Sequence, residues 1–232
     1  MYGTVTIGLD WQELIMAGIN ASTVTLDWAM AEMLANPRVL EKIREEVDHV
    51  VGKERMVEMA DLPDLRYTKA TVKETLRKHP ALPLLLPHAA IEACELQVPS
   101  SSDDGKNQPS YQIPSGTRML VNAWAIGNDP TTWEDPDKFL PERFLAGSKA
   151  DVDVRGQHFE LLPFGSGRRM CPGMGLALGV LELSVAGLAH CFEWELRDGV
   201  VDMREMFGMI NPRKVPLHAV PSFRLPDHVV CL

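Results

Sequence analysis

Phe164-Gly165-Ser166-Gly167-Arg168-Arg169-Met170-Cys171-Pro172-Gly173 sets one cysteine among glycines at the spacing F-x-x-G-x-R-x-C-x-G. Glycines at 165, 167 and 173 permit a tight loop whose backbone can approach a flat ligand closely. Cys171 precedes an apolar run of helical character, and the positive end of a helix suits an anionic sulfur. A haem iron needs an axial sulfur of this kind when electron density is to be pushed toward O–O cleavage. Arg169, two residues earlier, is placed to meet a haem propionate. A lone cysteine is most often a buried structural residue. Five fixed residue types at fixed spacing favour the ligand over that reading.

Two further groups carry charge. Glu74-Thr75-Leu76-Arg77 puts an acid and a base three residues apart, neighbours on one helix face. Such a pair is usually solvated and worth little. Pro141-Glu142-Arg143-Phe144 offers a second arginine. Glu74, Arg77 and Arg143 could form a buried Glu-Arg-Arg network, because burial of any one charge requires the others. Lys73, on a different face, is expected not to be needed for haem binding.

The elements that position these groups are mostly helical. Asp10 and Glu13 form a capping box ahead of Leu14, Ala17, Ala21, Val24, Trp28 and Leu34 at helical spacing. Asn36-Pro37 ends that helix, and the pair also caps and starts the next. Val39, Leu40, Ile43, Val47 and Val50 form the second helix's apolar stripe, and Gly52 stops it. A third helix is predicted over 63–79, ended by Pro80. Residues 84–121 read as short strands and a hairpin with a solvated, mobile connection over 99–110. Loops with short helical turns follow over 124–167, then a long helix over 172–191. Strands near 192–196 and 215–220 close the chain.

Composition excludes several function classes. The 232 residues carry Lys+Arg 23 against Asp+Glu 32, a net charge of −9 without a basic run, which argues against a nucleic-acid or anionic-membrane surface. At 45% hydrophobic the chain can build a packed core. Cys94, Cys171, Cys191 and Cys231 stand far apart, indicating neither a zinc ribbon nor a disulfide framework. No basic-then-apolar leader follows Met1, so no signal peptide is expected. The apolar stretch 170–192 contains four glycines, Glu182 and His190 and reads as a buried helix, not a membrane span.

With the cysteine loop, Lys73-Glu74-Thr75-Leu76-Arg77 ahead of His79-Pro80, Leu86-Pro87-His88, Trp124-Ala125-Ile126-Gly127 ahead of Asn128-Asp129-Pro130, and Pro141-Glu142-Arg143-Phe144 on the page, the chain resembles a known family. It looks like the C-terminal half of a cytochrome P-450 haem-thiolate monooxygenase of the plant microsomal type. The resemblance implies a mainly α fold with small β-hairpins, the C-terminal portion of the cytochrome P-450 fold, with residues 1–232 as one partial haem-binding domain. It implies haem b (iron protoporphyrin IX), with Cys171 as the iron ligand. Arg169 and His88 would hold propionates, Phe164 would pack beside the thiolate, and Gly165 and Gly173 would shape the loop. Glu74, Arg77 and Arg143 would be the structural triad. Ala17, Ala21, Ser22, Leu84, Leu85, Met209 and Ile210 would line a pocket for a small apolar plant metabolite. The implied partner is an NADPH-cytochrome P-450 reductase, docking through Lys78 and Arg168. The implied location is the cytosolic face of the endoplasmic reticulum membrane, reached through an N-terminal anchor that this half lacks.

One segment departs from the family pattern. Members usually read Ala-Gly-x-Asp/Glu-Thr-Thr/Ser on the oxygen-activation helix; this chain reads Ala17-Gly18-Ile19-Asn20-Ala21-Ser22-Thr23. Asn20 can orient water but has no carboxylic proton, and Ala21 has no hydroxyl. On a helix, Ser22 and Thr23 point about 100° and 200° away from residue 21. Two alternatives therefore stand beside monooxygenation: a truncated, non-catalytic haem-binding fragment, and a haem-thiolate isomerase or dehydratase that needs no O2.

Overall fold

The structure, a computed structural model, describes residues 5–98, 110–197 and 199–230, with side chains from residue 15 onward. The connection over 99–109 and Cys231 lie outside the described residues. Among the described residues the architecture is mainly helical with three small antiparallel sheets, as the sequence predicts.

Helix α1 (Val5–Ala35) begins upstream of the expected cap. Residues 5–9 include no proline to stop the backbone, so the helix runs through Asp10, which is not its N-cap. The capping-box side chains themselves lie outside the described residues. Further on, α1 turns Trp28, Ala29, Met33 and Leu34 into the core, while Ile15, Met16 and Ile19 remain exposed. Helix α2 (Pro37–Val50) starts with its proline, and Val39, Leu40, Ile43 and Val47 are buried. Asn36 does not cap it. Its Nδ2 turns back to the Glu32 carbonyl (2.9 Å) and to Glu32 Oε2 (3.0 Å), a charge-assisted alternative to the cap. Gly52 ends the segment at φ +79°, donating its N–H to the Asp48 carbonyl.

The third predicted helix divides in two. A single 3-10 turn (Leu62–Asp64) is followed by α3 (Arg66–Lys78), with Leu65 non-helical between them. The cap of α3 comes from α2: Glu46 accepts the backbone N–H groups of Tyr67 (2.6 Å) and Thr68 (2.9 Å) and the Thr68 hydroxyl (2.9 Å). Most of α3 is buried, Glu74 and Arg77 included. A short helix, α4 (Ala123–Gly127), and 3-10 turns at Pro141–Phe144, Gly147–Lys149 and Gly167–Arg169 follow. Helix α5 (Met174–Cys191) begins two residues later than expected. By length and composition it could cross a membrane. Its second half, with Leu181, Val185, Ala186 and Ala189, is buried against α1, α2 and α3, whereas Leu176 and Val180 are exposed.

Strands β1 (His88–Ala89) and β4 (Arg118–Met119) pair, as do β2 (Cys94–Gln97) and β3 (Ser110–Ile113). Strand β5 (Phe192–Leu196) lies where the sequence places it, but its partner β6 spans Ala219–Phe223, later than the predicted 215–220. Arg224 fixes that register. Its N–H donates to the Cys191 carbonyl (2.9 Å) and its Nη1 to Asp48 (2.9 Å), which draws Phe223 opposite Phe192. A one-turn helix, α6 (Asp227–Val230), follows.

Glu142 joins the 3-10 turn at 141–144 to the helices. Its Oε1 accepts from Arg38 (2.7 Å), Lys42 (2.7 Å) and the Tyr67 hydroxyl (3.0 Å). Partial burial pushes its carboxyl up, but Lys42, Tyr67 and Arg38 outweigh that and hold it at about 2. A depressed carboxyl contributes stability that is present above its ordinary 4.5 and disappears as pH falls through about 2. Glu142→Gln is expected to lower the melting temperature at neutral pH, with the gap to the unsubstituted chain closing across that acid window. Melting curves showing a gap independent of pH would contradict it.

Candidate functional site

Two side chains of α3 anchor a buried charge network. Arg77 donates from Nε to Glu74 Oε2 (2.8 Å) and from Nη2 to Glu74 Oε1 (2.9 Å), with both side chains fully buried. Arg143 Nε reaches the same Oε1 at 3.1 Å, and the Leu140 N–H adds a bond at 3.0 Å. The remaining Arg77 donors meet the carbonyls of Gly127 (2.6 Å), Pro136 (2.9 Å) and Lys138 (3.3 Å). Arg143 reaches Glu134 O at 2.9 Å. The Trp133 ring lies beside both guanidinium groups, 5.5 Å from Arg77 and 6.0 Å from Arg143. Gly127 is required here, because a Cβ on it would come within 2.5 Å of the Arg77 carbonyl oxygen. This is an enclosed, forked network, unlike a solvated surface pair.

The cysteine loop is held by its backbone. Cys171 donates its N–H to the Phe164 carbonyl at 3.0 Å, and Met170 donates to Gly167 at 3.2 Å. Gly165 and Gly167 have φ of +74° and +72°, where a side chain would be strained. The loop leaves Cys171 half-exposed, whereas Cys94 is exposed on a hairpin and Cys191 is buried. A Cβ at Gly173 would lie 3.9 Å from the Cys171 sulfur. Behind the loop, Ser166 donates to the Gly156 carbonyl at 2.6 Å. Gly156 has φ +75°, and a Cβ there would come within 3.0 Å of the Gly165 oxygen. A soft sulfur donor, accessible and backed by a loop that side chains could not form, fits an iron-porphyrin ligand.

Leu85 lies close to this loop, its Cδ1 3.9 Å from where a Cβ on Gly165 would stand. It holds a φ of +50°, a strained conformation for a residue with a Cβ. Leu84 and His88 are exposed nearby in the chain, and Arg169 is exposed on the turn before Cys171. Ala17 and Asn20 are exposed on α1, Ala21 and Ser22 half-buried. Met209 is exposed and Ile210 half-buried. Gly156, Trp133 and the strain at Leu85 have no counterpart in the sequence reading. Gly156 belongs to no motif, and Trp133 becomes a network residue only once the loops around it close.

Two lysines are held by partners. Lys78 is bonded to Glu32 at 2.9 Å and mostly buried, so it is a structural partner and not a free docking charge; Arg168 is exposed. Lys73 donates to the Val152 carbonyl (2.9 Å) and lies over the Phe144 ring, and burial pushes its ammonium below the usual lysine value.

The cytochrome P450 family model matches residues 8–218. The chain belongs to the cytochrome P450 family. As a cytochrome P450 it implies a haem cofactor, which the cysteine loop can accept. It is 51% identical over 223 residues to dimethylnonatriene synthase of Zea mays, covering 94% of this chain and 40% of that protein. It is 46% identical over 216 residues to flavonoid 3',5'-hydroxylase of Campanula medium, covering 92% of this chain and 39% of the relative. A zebra fish cytochrome P450 solved with abiraterone superposes with a TM-score of 0.75 at 31% identity, over 92% of this chain and 46% of that one. The chain thus spans about two fifths of the length of these curated relatives.

Proposed function

We propose that this cytochrome P450 chain forms the proximal part of a haem-thiolate monooxygenase of plant secondary metabolism. The overall reaction would be RH + O2 + NADPH + H+ → ROH + H2O + NADP+. Haem b, when bound, supplies O2 activation, with electrons from an NADPH-cytochrome P450 reductase. The observation that carries the reading is Cys171, half-exposed in a backbone-closed glycine loop, inside a family match. Cys171 would ligate the iron, with Phe164 beside its sulfur and Gly173 leaving room at it. Arg169 and His88 would hold the propionates. Glu74, Arg77 and Arg143 would keep the supporting face rigid. Ala17, Ala21, Ser22, Leu84, Leu85, Met209 and Ile210 would exclude water and line the pocket for a small apolar substrate. The protein would act at the endoplasmic reticulum membrane, with residues 1–232 as the partial haem-binding domain.

The test is the absorbance of the haem-loaded, ferrous, CO-bound protein. Thiolate ligation gives a red-shifted Soret band, and an unshifted band would sink the reading.

A second reading, a haem-thiolate isomerase or dehydratase, is favoured by α1. Thr23 Oγ1 is tied to the Ile19 carbonyl (2.8 Å) and Thr25 Oγ1 to the Ala21 carbonyl (2.9 Å), leaving Ser22 as the hydroxyl beside Ala21. Proton delivery is then one hydrogen bond poorer than in the family pattern. That deficit is about 1–2 kcal/mol, on the order of tenfold in the share of NADPH that yields product. Ala21→Thr with Asn20→Asp is expected to raise product formed per NADPH by about that factor. Turnover independent of NADPH and O2 would put the isomerase or dehydratase first.

A further inference from the structure

The segment after β5 returns to the long helix and to the end of α3 at three points. Buried Arg213 donates from Nε to Asp27 Oδ2 (2.8 Å), from Nη2 to Asp27 Oδ1 (3.3 Å) and from Nη1 to the Asp202 carbonyl (3.2 Å). Trp28 Nε1 donates to the Asn211 carbonyl (2.8 Å), and the Asn211 N–H donates to Ala81 (3.0 Å) just beyond α3. His79 stacks flat on Trp28, with ring centroids 3.9 Å apart. Its Nε2 is 2.7 Å from Glu32 Oε1, and its Nδ1 faces Glu205 Oε1 at 3.7 Å. Between these anchors the two arms of the segment hold each other. The backbones of Glu205 and Arg213 lie opposite each other in an antiparallel bridge, Met206 N–H donates to the Pro212 carbonyl (2.9 Å), and Lys214 N–H donates to the Arg204 carbonyl (2.7 Å). The tip, residues 207–210, projects from this base with Phe207 and Met209 exposed.

An exposed turn does not need an indole, an imidazole, a guanidinium and a carboxylate buried beneath it. Trp28 is 0% exposed, Glu32 1%, His79 6% and Arg213 6%. Burying so many polar groups is unfavourable unless they are paired; Trp28 and Arg213 find their partners across the join between α1 and this segment, while Glu32 is held by Asn36, Lys78 and His79. Burial pushes the Glu32 carboxyl up, but the bond from His79 and the charges of Lys78 and His79 outweigh it. The neighbouring His79, against a smaller effect of burial, holds Glu205 below the usual range. Both carboxylates thus face the one ring as anions. All three anchors lie on or beside α1, two helical turns, about 10 Å, beyond Ala21.

We infer that Trp28, His79 and Arg213 are positioning residues that fix the 207–210 turn relative to α1, so that choice among apolar substrates is set in part by side chains that never touch the substrate. The inference rests on the proposed role of Met209 and Ile210 as pocket wall.

The test compares the unsubstituted chain with His79→Gln and with Glu205→Gln, the latter at a residue whose side chain is 39% exposed and outside the core. Amide hydrogen exchange at Met206 and Lys214 is expected to accelerate about tenfold in both variants, with the amides of α3 unchanged. In the haem-loaded protein the thiolate band should persist. The ratio of affinities for 4-phenylimidazole and for a bulkier azole, ketoconazole, should shift about threefold or more. Unchanged exchange at Met206 and Lys214 in Glu205→Gln would overturn the anchor. Accelerated exchange with an unchanged azole ratio would overturn the role in specificity. Absence of a thiolate band from the unsubstituted protein would instead defeat the haem reading, and the exchange measurement, which needs no haem, still decides on the anchor.

Discussion

Arg77→Ala is expected to destabilise the chain by about 3–5 kcal/mol, the range for removing one partner of a buried ion pair. Domains of this kind have about 5–15 kcal/mol in total, so most of the margin disappears and haem retention with it. The arginine satisfies both Glu74 oxygens and three backbone carbonyls, those of Gly127, Pro136 and Lys138. Without it, Glu74 keeps Arg143 and the Leu140 N–H, and the three carbonyls lose a charged donor. Arg77→Lys should recover only part of the loss, since a lysine is a point charge and cannot fork to two oxygens and three carbonyls. Arg66→Ala, exposed on the same helix, should change stability by no more than about 0.5 kcal/mol. Urea unfolding and haem stoichiometry measure both effects. Equal losses at 66 and 77 would return Glu74 and Arg77 to the status of a surface pair.

Cys171→Ala is expected to erase the thiolate Soret band while leaving the fold in place. The loop is closed by the backbone bond from Cys171 N–H to Phe164 O, and alanine keeps that bond. Far-ultraviolet circular dichroism should therefore be unchanged as the band disappears. Cys94→Ser should keep the band. Cys191 is buried, so its control is alanine, because a serine hydroxyl would be placed in an apolar setting. A thiolate band surviving in the Cys171→Ala protein would remove Cys171 as the ligand.

The residues differ in how far they were legible before folding. The cysteine loop could be read because its chemistry is local: a sulfur, glycines and a helix start within ten residues. Glu74 and Arg77 were legible as a pair but not as buried, since burial depends on Trp133, Gly127 and Arg143 arriving from a stretch without hydrophobic period. The start of α1 was missed because a good capping signal does not stop a helix that can continue upstream. The register of β6 was missed because Arg224, outside the strand, sets it through Asp48 on α2. The anchors under residues 204–214 were invisible for the same reason. Trp28 and His79 read as core and turn until a distant segment lies across them.

The charge network also imposes an order on synthesis. Gly127 is 50 residues beyond Arg77 and Arg143 is 69 beyond Glu74. At about 5–20 residues per second, α3 leaves the ribosome roughly 3–14 s before its last partner. Through that interval Glu74 and Arg77 have only each other, three residues apart on one helix turn, while the parts of α3 that meet α4, the 141–144 turn and α5 wait uncovered. The pairing thus serves the nascent chain as a temporary neutralisation before it serves the folded one. Slower translation over residues 78–143 would lengthen the exposed interval and lower the yield of soluble protein without changing a single amino acid.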